Sequence, residues 1–395
     1  MKKIKFLLLV LLVKTSFAQK AIIFNIALEA TENGLQVPVK FALKTGSNFN
    51  EKNAVLTEIA TKKSVPFQIQ NGIMYFQTKS DAASKSFRLA KGKAKESKPM
   101  AIVERDGKLM IQANGQDLLG YQMKILYPPA GVDTAFKRSG FIHPLVSPKG
   151  QVLTRIQPAD HSHHYGIWNP WTHVLFEKDT VDFWNLYLKK GTVRFVKVLE
   201  KTVGNVFSEY KVQHDHVAFQ KASEKVAMNE IQTVRVYQPD ENNDYYIMDI
   251  DFELKCASES PVTILQYRYA GLGWRATQQW NNKNSEVLSS EGKNRKEADG
   301  TKARWCMVQG AVDGTNAGAV MLSNPQNFNH PEPLRIWPEN MYDRGDMFAM
   351  FAPTKDTDLP LIPGKTYTFK YRWLVFNGQI SKEKIEAVWK NYAKS

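Results

Sequence analysis

"TVRFVKVLE" (residues 192–200) and "EYKVQHDHVAF" (residues 209–219) decide the fold class, because in both runs apolar and polar residues alternate. A strand turns successive side chains to opposite faces, so period two marks a half-buried strand, whereas a helix needs apolar residues three and four positions apart. The alternation recurs in "QVPVKFAL" (36–43) and "TYTFKYRWLVF" (366–376), between Gly, Asn, Asp and Pro punctuation. Helical spacing is confined to "SKEKIEAVWKNYAKS" (381–395), where Ile385, Val388, Trp389 and Tyr392 share one face behind a Ser381 cap. The expectation is an all-β protein: a large antiparallel β-sandwich, preceded by a small N-terminal β-sandwich and followed by one C-terminal helix.

Residues 1–18 read as a secretory signal peptide: Lys2, Lys3 and Lys5 precede an apolar run at 6–13, and Ser16 and Ala18 flank a cleavage point. The mature chain is expected to begin near Gln19 and to work in a periplasm or outside the cell. That apolar run is too short to span a bilayer, and no later stretch offers about 18 apolar residues, so no transmembrane segment is expected. Residues 79–98, "KSDAASKSFRLAKGKAKESK", carry seven Lys or Arg against two acids and read as a solvated linker. The expected order is a small β domain with its linker at 19–98, the main sandwich at 99–380 and the helix at 381–395.

Losing residues 1–18 removes four lysines and no acid, which lowers the formal charge from +14 to +10. An exported basic protein has little call on nucleic acid; its surface suits anionic glycans or simply solubility. Cys256 and Cys306 are the only two cysteines, which excludes a disulfide-dense scaffold and a multi-cysteine zinc site and leaves one bridge or two buried thiols. The sequence sets no oligomeric state.

"PADHSHHYGIWNPW" (158–171) holds three of the eight histidines. Bracketed by Pro158 and Gly166, it reads as an extended segment or loop, with His161 and His163 on one side and Asp160 and His164 on the other. Imidazole takes or gives a proton near neutral pH, and a carboxylate beside it orients the ring, so Asp160, His161, His163 and His164 equip the segment for acid–base work. The same four side chains form an alternative set of ligands for a divalent metal, the one cofactor the sequence leaves open without requiring it. A loop whose histidines merely satisfy backbone groups is the third reading. His214 and His216 read as residues of a solvent-facing strand, and His143 and His330, each before a proline, as extended-loop residues available for binding.

Trp168 and Trp337 are expected to line a sugar-stacking cleft, with Trp184 and Trp373 left to the core. Arg268, Arg275 and Arg335 are candidates to clamp a carboxylate such as that of a uronic acid. No nucleophile elbow, phosphate loop, dinucleotide fingerprint or H-E-x-x-H motif occurs, and nothing marks two carboxylates that could flank a glycosidic bond.

"SGFIHPLVSPKGQVLTRIQPADHSHHYGIWNPWTHV" (139–174) followed by "VDFWNL" (181–186) resembles the bacterial family labelled methane oxygenase PmoA, or domain of unknown function 6807. Its segment D-H-x-H-H-R-G-[LI]-[WF] matches Asp160, His161, His163, His164, Gly166, Ile167 and Trp168, with Tyr165 in place of the family's Arg. "YRYAGLGWRA", "AVMLSNPQNFNHPEPLRIWPE" and "LIPGKTYTFKYRWLVFNG" extend the similarity. The resemblance implies an exported protein of polysaccharide-degrading bacteria, with a sandwich like those of sugar mutarotases and some lyases. It does not imply methane oxidation, which belongs to an integral membrane protein.

These readings converge on an exported carbohydrate-active protein: a His-dependent lyase or dehydratase, or a glycoside hydrolase, acting on oligosaccharides, with or without uronic acids. His163 or His164 is the expected acid or base, Asp160 its orienting group and Tyr165 a phenolic proton donor. The rival class is a non-catalytic glycan-binding or structural envelope protein.

Overall fold

The computed structural model describes residues 20–93, 99–221, 223–342 and 344–394. The expected signal peptide lies outside them.

The alternating runs pair as long antiparallel strands. One eight-stranded sheet runs in the order Gly191–Val203, Phe207–Gln220, Ser223–Tyr237, Tyr245–Cys256, Tyr367–Asn377, Thr315–Ser323, Trp305–Val312, Ser285–Ser289. A nine-stranded sheet of shorter strands faces it, with Ala101–Arg105, Lys108–Ala113, Gln116–Gln122, Phe141–Leu145, Ile167–Trp168, Gly273–Arg275, Phe348–Phe351, Glu332–Ile336 and Lys302–Ala303 in spatial order. Leu109, Ile111, Leu119 and Ile142 of the short-stranded sheet meet Tyr246, Met248, Ile250, Phe252, Trp373 and Val375 of the long one in a single buried core. The all-β sandwich expected from the alternation is therefore present.

The long sheet is buried on both faces, and period two explains how. In Tyr245–Cys256, Tyr246, Met248 and Ile250 point into the sandwich, while Tyr245 and Ile247 join a second core with Leu374 and Phe376. A one-residue slip would exchange the two sets, so the register is strongly specified. Two N-terminal sheets cover that outer face: Ile22–Ala27, Ser84–Lys91, Ala54–Glu58 and Ser64–Val65 form one, and Gln36–Ala42, Ile73–Lys79 and Phe67–Gln70 the other. Phe24, Phe76 and Phe87 pack between them at ring distances of 4.8–6.2 Å.

The linker expected at 79–98 is corrected by the strand Ser84–Lys91, which lies between two others in its sheet. Phe87 and Leu89 are fully buried, and the lysine count masked this alternation. Lys85 is held by Asp81 at 2.7 Å and Glu58 at 3.1 Å. Residues 94–98 of the expected linker lie outside the described residues.

The helix Lys382–Ala393 docks on the second core through Ile385, Val388 and Tyr392. Ser381 caps it by accepting from the Lys384 N–H at 3.4 Å. Ser381→Ala should cost about 0.5–1 kcal/mol in urea unfolding, and an unchanged midpoint would show the cap to be idle. Both cysteines are free thiols, Cys306 buried and Cys256 partly so. Among the described residues no helix is long and apolar enough to cross a membrane.

Candidate functional site

The histidine segment is not extended. The His161 N–H donates to Pro158 O at 2.9 Å and the His164 N–H to His161 O at 3.0 Å, two successive turns closed by Gln157 N–H to His164 O at 2.8 Å. The turns deliver the chain into the strand Ile167–Trp168 through Gly166, at φ 57°. A Cβ there would lie 2.2 Å from Ile142 O, so only glycine fits. The turns also undo the expected split of faces. His161, His163 and His164 all line one cleft of about 280 Å³, at the small end of ligand-sized cavities.

Asp160 lies beside His161, accepting from its Nδ1–H at 2.9 Å and from Arg275 Nη2 at 2.6 Å. Burial pushes the Asp160 carboxyl up, but the His161 hydrogen bond and the Arg275 guanidinium outweigh it and hold it well below the usual carboxylate range. Arg275 is fully buried, also reaches Asp346 at 3.1 Å and lies 4.5 Å from the Trp337 ring. It fixes Asp160 from behind and does not line the cleft, which corrects its expected role on substrate. A bound Nδ1 proton leaves His161 Nε2 as the open nitrogen, and among the described residues it has no hydrogen-bond partner.

His163 and His164 occupy different ground. Burial lowers His163 to about 4, with His161 and Arg275 adding to the effect, and burial likewise holds His164 well below its ordinary range. Both are neutral at pH 7, so neither supplies a proton as a general acid. His164 packs against Trp168, Trp184, Trp337 and Phe348 at 5.2–5.8 Å. The base that Asp160 orients is thus His161 and neither of its neighbours.

His143 is likewise lowered to about 4, mainly by burial. A neutral histidine in the folded state that takes up a proton near 6.5 once unfolded stabilises the fold above that pH and loses the contribution as pH falls. Stability should therefore drop between about pH 6.5 and 4. Urea unfolding at pH 7 and pH 5 checks this, and a midpoint that holds or rises at pH 5 would contradict it.

Four loops complete the cleft. Thr172 and His173 follow the histidine strand; Asp182, Trp184, Asn185 and Leu188 come from the next loop; Tyr267, Arg268 and Tyr269 precede the strand Gly273–Arg275; Trp337 and Tyr342 follow Glu332–Ile336. Trp337 lines the cleft as expected, but it is almost fully buried and presents little of its ring there. Trp168 does not line it: it is fully buried behind His164, and Trp184, expected in the core, reaches the cleft wall instead. Trp373 is in the core as expected. Arg268 is exposed at the cleft and, among the described residues, pairs with no carboxylate. Arg335 is committed to Asp299 at 2.8 Å and to the Tyr269 hydroxyl at 2.8 Å, so it positions Tyr269 and does not reach substrate.

Three further expectations are corrected by position. Tyr165 is buried, its hydroxyl donating to Phe136 O, and it does not line the cleft. His143 lies in the strand Phe141–Leu145 with Nδ1 2.9 Å from Thr154 Oγ1. His330 stands elsewhere, 3.1 Å from Ser323 Oγ and stacked on Trp389. As for a metal, no group of three or more His, Cys, Asp or Glu among the described residues is arranged to hold an ion. His161 and His164 stack nearly face to face at 4.8 Å, so their nitrogens do not converge.

Sequence reasoning missed Asp182, Asn185, Tyr267, Tyr269 and Tyr342 as cleft residues. Four of these five lie in "VDFWNL" and "YRYAGLGWRA", whose family resemblance is the signal in the sequence that marks them. Both fall inside a match to a family of unknown function, DUF6807, which spans residues 108–390. The chain belongs to this family. The DUF6807 match covers the cleft and the sandwich apart from the edge strand Ala101–Arg105, leaves the N-terminal sheets outside, and carries no methane oxygenase relationship. No curated protein matches the chain.

Proposed function

We propose that this DUF6807 protein is an exported carbohydrate-active enzyme that eliminates across uronic-acid-containing oligosaccharides, with His161 as the base. One observation carries the reading: His161, its Nδ1 held by Asp160, lines a cleft that Trp184, Tyr267, Tyr269 and Trp337 also line. The partly exposed rings of Tyr267 and Tyr269 suit the C–H faces of sugars, and Arg268 is free to meet a carboxylate. In the reaction, Nε2 takes the proton from the carbon next to the carboxylate. The freed pair forms a carbon–carbon double bond as the neighbouring carbon–oxygen bond breaks, and the imidazolium returns the proton to the departing oxygen.

Hydrolysis is the weaker reading for a specific reason. Glycosidases generally work with two carboxylates across the bond. Among the described residues only Asp182 brings one to the cleft wall, and it accepts from Thr172 Oγ1 at 3.0 Å and from the Trp184 and Asn185 N–H groups at 2.8 and 2.7 Å. Export rests on the first 18 residues.

The test is incubation of the purified protein with glucuronate, galacturonate and neutral oligosaccharides. Ultraviolet absorbance of an unsaturated uronate is expected from acidic substrates alone. Cleavage without unsaturation would replace elimination with hydrolysis, and binding without turnover would make the protein a glycan-binding module.

A further inference from the structure

We infer that a second cleft, across the 3-10 turns Thr134–Phe136 and Leu186–Leu188 from the histidines, binds an anionic group, a carboxylate or a sulfate, anchored by Arg138. The cleft encloses about 350 Å³, and its polar lining includes Thr134, Lys137, Arg138, Lys189 and Arg194. Two of its four cations are neutralised: Lys189 pairs with Asp133 at 3.0 Å, and Arg194 binds both oxygens of Glu224 at 2.6 and 2.9 Å. The other two are not. Among the described residues neither Lys137 nor Arg138 forms an ion pair; Lys137 lies over the Tyr127 ring at 5.8 Å and is close enough to Glu224, already bound by Arg194, to help lower its carboxyl.

Arg138 is the unusual member. It is 2% exposed, donates through Nη1 to Phe183 O at 3.1 Å, lies 5.6 Å from the Tyr165 ring, and its buried Nε has no partner. The buried carboxylate whose charge it feels, Glu230, is committed to His214, His216 and Asn169. Burial lowers Arg138 to about 10, which leaves it cationic at neutral pH. Burying a cation without a counter-ion is costly, and an anion entering the cleft removes that cost. A guanidinium fork matches a carboxylate or sulfate edge, and Lys137 adds a second positive charge.

The two clefts share walls. Leu186 lines this one, while Asn185 and Leu188 line the other. Phe136 stacks on His163 at 6.4 Å, and its neighbours Ala135 and Lys137 face the second cleft. An acidic sugar chain lying in the histidine cleft would thus continue toward Arg138. That the anion belongs to a sugar rests on the proposed function; the anion site does not.

Calorimetric titration with inorganic sulfate, glucuronate and glucose tests the site, and none of these probes requires turnover. Sulfate or glucuronate should bind, and glucose should not. Glucuronate binding that sulfate displaces assigns one site to a carboxylated sugar, whereas sulfate binding alone assigns it to a sulfate group. Arg138→Gln should weaken the anion at least about 30-fold, the scale for removing one partner of a buried charge pair. Lys137→Glu alters an exposed side chain and should weaken it about tenfold without disturbing the fold. Equal binding of glucose, no binding of either anion, or unchanged anion affinity in Lys137→Glu would overturn the inference. Absence of turnover on every glycan, with anion binding intact, would defeat the enzyme reading alone.

Discussion

Replacing His161 by alanine should lower turnover on an acidic oligosaccharide about 100-fold or more, the scale for losing a general base, while the melting curve changes little. The ring is only partly buried, and its loss leaves Asp160 paired with Arg275 at 2.6 Å, so no charge is stranded. Asp160→Asn should move turnover the same way, because an amide does not enforce the tautomer that frees Nε2. His164→Ala is the contrast: it empties a site packed among Trp168, Trp184, Trp337 and Phe348, and stability should suffer more than chemistry. Full activity in His161→Ala would remove the base from the mechanism.

Glu230→Ala should cost about 3–5 kcal/mol of folding free energy, because it removes the hub of a buried polar network. Glu230 accepts from His214 Nδ1 at 2.8 Å, His216 Nε2 at 3.2 Å and Asn169 Nδ2 at 2.9 Å, and all four side chains are buried. The Tyr121 hydroxyl extends the chain, 2.5 Å from His214 Nε2. Burial pushes the Glu230 carboxyl up, but the hydrogen bonds from the two histidines bring it down to about 2. A lowered carboxyl stabilises the fold above its unfolded value near 4.3 and loses that contribution as pH falls toward 2. Urea unfolding of wild type and Glu230→Ala at pH 7 measures the loss. A difference below about 1 kcal/mol would show that the network holds nothing together. Asn169 follows Trp168 directly, so the same network ties the strand leaving the histidine turns to the long sheet.

This network also shows where sequence reading failed. In "EYKVQHDHVAF" the alternation correctly placed His214 and His216 on one face of a strand. Polar neighbours make that face read as solvent-exposed, yet both histidines are buried. Period two says which side chains share a face and nothing about what lies opposite it. The answer came from Glu230 on the next strand and Asn169 from the other sheet, 61 residues away from Glu230 in the chain. The linker was misread for a related reason: net charge in 79–98 spoke louder than the alternation of Phe87 and Leu89.

The sequence by itself determined the strand class, the terminal helix with its Ser381 cap, and the segment that carries the candidate site. These are local properties, written in side-chain periodicity and in residues adjacent along the chain. Only the tertiary structure decided which histidine Asp160 orients, that Trp184 replaces Trp168 on the cleft wall, and that Tyr165 and Arg275 support the cleft without lining it. Each of those outcomes depends on contacts between distant positions, such as Asp160 with Arg275, 115 residues apart. Closing two sheets over one core brings such pairs together, and no local pattern of charge or hydropathy encodes which of them will meet.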